Sequence, residues 1–170
     1  MKLIFAAICL TSCAFAGDAR ALASACGPDS ARFDVSKDKR ATPVASDDAA
    51  KARIYVIGDG VQITRIGLDG AWVGAAEDRS WISFLTEPGE HHLCADWQPS
   101  VTRTMSLLST TRSISLANFT AEAGKVYYFR ARAIILAEHG ILSFDLELTN
   151  RDEGQFLIAS YPVSTAHLRK

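Results

Sequence analysis

"PGEHHLCADW", residues 88–97, decides how the chain is interpreted, because it brings two histidines, a cysteine and an aspartate close together. Its proline and glycine predict a turn, and the residues after them predict a β-strand. Successive side chains of a strand point to opposite faces. The alternation assigns one set to the core, namely His91, Leu93, Ala95 and Trp97, and another to the opposite face, namely His92, Cys94 and Asp96.

The second set is also a candidate for metal chemistry. Ligands spaced i, i+2, i+4 on one strand form a row, whereas tetrahedral zinc usually draws its ligands from more than one element. A fourth ligand would have to come from elsewhere, for example His139 or His167. We therefore expect a structural strand with no metal and no cofactor. The alternative is a small metal-dependent enzyme or metal-binding protein that uses His91, His92 and Asp96.

The N-terminus has the layout of an export signal. A lysine precedes the apolar run 3–17, which is too short to span a bilayer. We predict a signal peptide within residues 1–23, and two outcomes stay open. Small residues before Cys13 resemble a bacterial lipobox, which would leave that cysteine lipidated and the protein anchored. A cut after Ala16 or Ala23 would instead release the protein.

Two cysteines, Cys26 and Cys94, remain in the body of the chain after either cut. In an exported protein such a pair is most simply a disulfide, because the oxidising compartment forms and preserves it. Catalysis by Cys94 would need a free, activated thiolate, which a disulfide removes. We therefore predict that Cys26 and Cys94 tie an N-terminal tail to the sheet.

Strand patterns recur on both sides of the opening stretch. Apolar and β-branched runs bounded by turn pairs such as Asp59-Gly60 and Asp69-Gly70 predict hairpins. The predicted strands are 52–58, 61–68, 71–76, 80–86, 91–97, 112–120, 125–135 and 141–149. Their one-face-apolar alternation predicts an all-β fold, an antiparallel β-sandwich of immunoglobulin-like type.

The period changes near the C-terminus. Asn150 followed by Glu153 is a capping-box pattern, and it predicts a short helix that ends before Pro162, although Gly154 weakens the helix. Turn-forming residues before residue 52 predict a linker, with 31–36 as a candidate edge strand. The predicted division is signal peptide 1–23, extended linker 24–51, sandwich with helix 52–162 and frayed tail 163–170.

Two arginines, Arg130 and Arg132, share one face of the longest predicted strand. They are candidates for binding an acidic glycan or a lipid headgroup, and the alternative is that they pair with carboxylates on a solvated outer face. The whole chain has 18 basic and 19 acidic residues and a net charge of −1, without a basic stripe. Nucleic acid is therefore not an expected partner.

Four blocks of the sequence carry a resemblance: "KARIYVIGDG", "IGLDGAWVGAA", "EPGEHHLCADW" and "FTAEAGKVYYFRAR". Together they resemble an uncharacterised bacterial family of exported proteins and lipoproteins, a domain of unknown function. They are also similar to the PEGA-type surface sandwich, although the Pro-Glu-Gly-Ala run that names that type does not occur in the chain. The resemblance covers residues 51–148. It implies an antiparallel β-sandwich displayed in the envelope, with no catalytic residue to carry over.

These observations predict a non-enzymatic module of the cell envelope that binds or scaffolds a partner. We expect it to be periplasmic, secreted or lipid-anchored. A protein, a glycan or a lipid headgroup is each a candidate partner, and contact with a membrane is expected only through a lipid anchor. A sandwich hosts many activities, so the fold by itself does not select one.

Overall fold

The computed structural model describes residues 26–40, 48–60, 62–98, 114–136 and 141–169. The predicted signal peptide, Cys13 and His139 lie outside the described residues. The described chain forms β1 (Phe33–Asp38), β2 (Ala52–Asp59), β3 (Thr64–Leu68), β4 (Ala71–Ala76), β5 (Ser80–Thr86), β6 (Gly89–Trp97), β7 (Ile114–Ala121), β8 (Val126–Leu136), β9 (Ile141–Thr149), α1 (Arg151–Ser160) and β10 (Val163–Leu168).

The strands form two sheets, one of six strands in the order β1-β10-β5-β2-β8-β9 and one of four strands in the order β4-β3-β6-β7. Every pairing in the four-stranded sheet is antiparallel. In the six-stranded sheet β2 and β8 run parallel, and a single parallel bridge joins β10 to β5. The predicted all-β sandwich with a short C-terminal helix is confirmed, with these parallel pairings as an addition.

Local sequence signals place several strands at their predicted bounds. The strands β4, β5 and β9 coincide with the predicted ranges 71–76, 80–86 and 141–149. The turn between β3 and β4 holds Asp69 at a φ of 50°, the left-handed conformation that an Asp-Gly pair favours in a tight hairpin. Alternation and turn chemistry are properties of neighbouring residues, so the sequence carries them directly.

Strands occur on both sides of the predicted sandwich range. β1 lies within the predicted linker 24–51, where it overlaps the candidate edge strand 31–36 and forms the edge of its sheet. β10 occupies Val163–Leu168, within the range predicted as a frayed tail. The two strands pair antiparallel from Phe33 opposite Leu168 to Asp38 opposite Val163. Each satisfies its backbone hydrogen bonds with a strand that is remote in sequence, so neither carried a strong local signal. The sandwich therefore begins before residue 52 and continues after residue 162.

The main core lies between the sheets. Its buried members are Ala52, Ile54, Val56, Ile66, Ala76, Ile82, Leu93, Ala95, Ala121, Phe129, Ala131 and Leu146. Leu93 and Ala95 come from the opening stretch, as its alternation predicts. The main core fixes β6 against the opposite sheet, and so it fixes the position of every other side chain on that strand.

A second apolar cluster lies on the outer face of the six-stranded sheet, beneath α1. Asn150 caps the helix, accepting a hydrogen bond from the Glu153 backbone at 2.9 Å, as the capping-box pattern predicts. Gly154 lies against Tyr128, where an added Cβ would come within 2.5 Å of the Tyr128 Cβ. The glycine that weakens the helix in isolation therefore permits its close packing. The indole of Trp81 donates to the Ile158 carbonyl at 3.0 Å and ties the end of α1 to β5.

Candidate functional site

The second half of β6 is buried on both faces. Leu93 and Ala95 face the core, while Cys94 and Asp96 on the other face are also almost fully buried. The cover over that second face is the segment of residues 26–32, here called the N-terminal clamp. Cys94 and Asp96 are therefore interior residues rather than groups that a solute meets at the surface.

The N-terminal clamp begins at a disulfide pair. Cys26 and Cys94 are joined with their Cα atoms 5.8 Å apart, across 68 positions of sequence. Gly67, opposite Cys94 on β3, makes room for the crossing, since a Cβ at that position would lie 2.7 Å from the Cys94 Sγ. The predicted pairing of the two cysteines agrees with this geometry.

Beneath the clamp, Arg65 of β3 and Asp96 of β6 form an ion pair whose side chains are only 2% and 0% exposed. The Arg65 guanidinium also donates to the carbonyl oxygens of Asp29 at 3.2 Å and Ala31 at 2.8 Å. Hydrogen bonds of this kind offset part of the cost of removing a charge from water. The clamp therefore supplies polar partners as well as apolar cover.

The Trp72 side chain of β4 packs against the Arg65 guanidinium of this ion pair. Its ring centroid lies 4.5 Å from the Arg65 Cζ, a cation–π distance, and its Nε1 donates to the Pro28 carbonyl at 2.9 Å.

At the end of the clamp, the Gln98 side chain accepts from the Phe33 backbone N–H at 2.7 Å and donates to the Phe33 carbonyl at 2.9 Å. The clamp is thus fixed at both ends.

The two histidines of the opening stretch meet Asp69 instead of Asp96. The Nδ1 of His91 lies 2.6 Å from the Asp69 Oδ2, and its Nε2 lies 2.8 Å from the Glu87 carbonyl oxygen. The backbone N–H of His92 donates to the Asp69 Oδ1 at 2.8 Å. The side chain of His91 is 12% exposed and that of His92 is 70% exposed. His91 thus lies at the margin of the predicted core face.

The contacts around His91 set the charge of this group. Burial lowers the pKa of His91, but the hydrogen bond to Asp69 and the one to the Glu87 carbonyl outweigh that cost, so the pKa of His91 is raised. Burial raises the pKa of Asp69, and the hydrogen bonds from His92 and His91 outweigh it, so the pKa of Asp69 is lowered. The geometry favours an imidazolium next to a carboxylate.

The structure does not assemble the alternative metal site. Asp96 is engaged by Arg65, while His91 and His92 lie beside Asp69. His167 is on β10, in the other sheet. In the described ranges, no group of three or more His, Cys, Asp or Glu side chains is arranged to hold a metal ion. The strand does not present Asp96 as a free metal ligand, because its carboxylate is paired with the buried guanidinium of Arg65.

Arg130 and Arg132 both have carboxylate partners. Arg130 forms ion pairs with Asp59 and, at 2.9 Å, with Glu153 of α1. The guanidinium of Arg132 lies 3.1 Å from the carboxylate of Asp145 and 3.1 Å from that of Glu147. Pairing with carboxylates is the predicted alternative to a binding role. The structure shows such pairing for both Arg130 and Arg132.

The ion pair beneath the clamp is the feature that the sequence analysis missed. A signal for it was present, because Arg65 interrupts the apolar strand "ITRIGL" and Asp96 interrupts "HHLCADW". A charged residue inside an apolar strand usually has a buried partner or an exposed face. Only the register of β3 against β6, which places the two residues opposite each other, identifies that partner.

Two further observations concern membrane-spanning helices and similarity to known proteins. Within the described part of the chain, no helix has both the length and the apolar character that crossing a bilayer requires. Comparison with protein-family models, with curated proteins and with solved structures finds no match in any of the three.

Proposed function

We propose that this chain is an exported, non-enzymatic β-sandwich module of the cell envelope that binds or scaffolds a partner. The observation that carries the proposal is the pairing of Cys26 with Cys94, which fastens the N-terminal clamp over a buried ion pair. Disulfides persist in oxidising compartments and are rare in the cytosol. A fold whose cover depends on one is therefore suited to the periplasm or the exterior.

The contacts of the reactive side chains support a binding role over catalysis. Cys94 is bonded to Cys26, Asp96 is paired with Arg65, and His91 is held by Asp69. Each of these side chains contributes to the packing of strands or turns. A general base or a nucleophile must instead reach a substrate.

The attachment of the module to the envelope is part of the proposal. The resemblance to exported proteins and lipoproteins supports either a lipid anchor at Cys13 or a soluble product cut after Ala16 or Ala23. Both outcomes deliver the chain to the compartment that the disulfide requires.

Intact-mass measurement of the protein from fractionated native cells tests export. We expect either a chain that begins after Ala16 or Ala23, or a diacylated or triacylated chain that begins at Cys13. Alkylation should label Cys26 and Cys94 only after reduction. A chain that keeps its N-terminal segment, stays in the cytosol and carries both thiols free contradicts the proposal.

Cross-linking in intact cells tests the binding role, and metal titration tests the competing enzyme. We expect a discrete cross-linked species that purified protein alone does not form. Calorimetric titration of the purified protein with zinc or copper should give no stoichiometric site. Stoichiometric binding that is abolished by His92→Ala would favour the metal-dependent alternative instead.

A further inference from the structure

One row of side chains on the outer face of the six-stranded sheet lies beyond the cluster beneath α1. In this row Arg53 of β2 stands between Leu85 of β5 and Val126 of β8. Alternation along β2 places Arg53 on the same face as Tyr55, which packs beneath the helix. Leu85 is 37% exposed and Val126 is 43% exposed. We call these three residues the Arg53 row.

Arg53 differs from Arg65, Arg130 and Arg132 in its contacts. Its Nε is buried and has no hydrogen-bond partner among the described residues. Its Nη1 lies 3.5 Å from the Ser83 Oγ, which is the outer limit of a hydrogen bond. In the described ranges, no carboxylate forms an ion pair with Arg53, whereas Arg65 has one such partner and Arg130 has two.

An arginine in this state has unused capacity for an anion. The guanidinium is charged at every physiological pH and presents donors in a planar fork that matches carboxylate and phosphate oxygens. A buried donor without an acceptor is costly, and a ligand oxygen that meets it removes that cost. Arg53 is only partly buried, so the proposed ligand oxygen would approach its guanidinium from the solvent side.

We propose that the Arg53 row binds an amphiphile in which an oxyanion, a carboxylate or a phosphate monoester, is carried on an aliphatic chain. Arg53 pairs with the oxyanion, and Leu85 and Val126 contact the aliphatic chain. The flanking apolar side chains distinguish this site from one for a bare inorganic anion, which gains nothing from them. The inference rests on the proposed function as a binding module and names its ligand class.

Titration of the purified mature chain with decanoate, below its micelle concentration, tests the site. We expect saturable binding by NMR shifts of residues in the Arg53 row. Affinities for decanol and acetate should be weaker by roughly tenfold or more, since decanol lacks the charged hydrogen bond and acetate lacks the aliphatic chain. Arg53→Gln should weaken decanoate binding by a similar factor. The matched variant Arg169→Gln, which removes an exposed arginine paired with Asp34, should bind as the wild type does.

A second pair of variants tests the apolar contact. Leu85→Ser should weaken decanoate binding, while Leu116→Ser, which changes a similarly exposed leucine on the other sheet, should not. Thermal unfolding is the control for each variant. A midpoint equal to that of the wild type shows that the fold is retained. Decanoate binding that survives Arg53→Gln, or decanol binding as tight as decanoate binding, overturns the proposal, and so does an absence of binding by the wild type.

Vesicles distinguish the two sources of such an amphiphile. Phosphatidic acid vesicles, whose headgroup is a phosphate monoester, identify a bilayer lipid as the source if they capture the wild type but not Arg53→Gln. Decanoate binding without vesicle capture identifies a free amphiphile. If neither probe binds while cross-linking in intact cells still yields a discrete partner, the Arg53 site fails and the binding module stands. If the chain is retained in the cytosol, the module proposal fails independently of the titration.

Discussion

Arg65 and Asp96 face each other across the β3 and β6 pair, with their side chains 2% and 0% exposed. The two charges lie beneath the N-terminal clamp, whose carbonyl groups complete the hydrogen bonds of the guanidinium. The ion pair thus connects the four-stranded sheet to the N-terminal clamp, which the disulfide holds in place. Its removal should disturb both.

Asp96→Ala should lower the free energy of unfolding by about 3–5 kcal/mol, because it leaves a buried guanidinium without its counter-charge. Urea denaturation followed by tryptophan fluorescence measures the change. The control Asp34→Ala removes an exposed ion pair with Arg169 and should leave the unfolding transition almost unchanged. A loss for Asp96→Ala no larger than that of the control would mean that the buried pair is unimportant for stability.

The disulfide should stabilise the fold by up to about 4 kcal/mol, the chain-entropy value for a loop of this length. We expect the double variant Cys26→Ser, Cys94→Ser to unfold at a lower urea concentration than the wild type. The reduced wild-type protein should behave similarly. Equal transitions for oxidised and reduced wild type would show that the N-terminal clamp is held without the bond.

The pH dependence of stability should follow His91 and Asp69. The pKa of folded His91 is raised above 6.5, so its contribution is fully present below about pH 6.5 and is lost as the pH rises through the raised value. The pKa of Asp69 is lowered from 3.8, so its contribution is present above that value and is lost as the pH falls through the lowered one. Stability from this contact is therefore greatest between about pH 3.8 and pH 6.5 and declines as the pH moves toward either folded pKa.

NMR titration of the His91 ring measures this coupling directly. Asp69→Asn keeps a residue that tolerates the left-handed turn and should lower the titration midpoint of His91. Asp78→Asn, a substitution in the turn between β4 and β5, is the matched control and should leave that midpoint in place. A His91 midpoint that is the same in both variants would rule out the Asp69 contact as its cause.

Gly154→Ala should destabilise the protein by about 1–3 kcal/mol, the usual cost of forcing an extra methyl group into a packed interface. The added Cβ would meet the Tyr128 ring, and this outweighs the gain in helix propensity of about 1 kcal/mol. Thermal unfolding compares it with Gln155→Ala, an exposed neighbour on the same helix. A more stable Gly154→Ala variant would mean that α1 can move away from the sheet without cost.

The sequence predicts those parts of the fold whose signals are local. Alternation defines β5 and β9, the Asp69-Gly70 turn defines the start of β4, and the capping residue Asn150 defines the start of α1. Pairing between remote strands is a different matter. The partner of β1 is β10, more than a hundred positions away, and nothing in either hexapeptide specifies the other.

The candidate site shows the same division. The cysteine pair follows from compartment and composition, and the face assignment of Leu93 and Ala95 follows from period two. The contact between Arg65 and Asp96 depends on the register of β3 against β6. Whether Arg53 forms an ion pair depends on which carboxylates the fold brings near it. These are long-range properties, and they decide which polar residues are structural and which are available for binding.

The position of β10 also orders the assembly of the sheet in time. β10 is the last of the described strands in the chain, yet it lies between β1 and β5. A ribosome makes β1 early and β10 late, so β1 has no neighbour to pair with until nearly all of the chain has been synthesised. A nascent chain therefore completes its six-stranded sheet only after the segment that holds β10 has emerged.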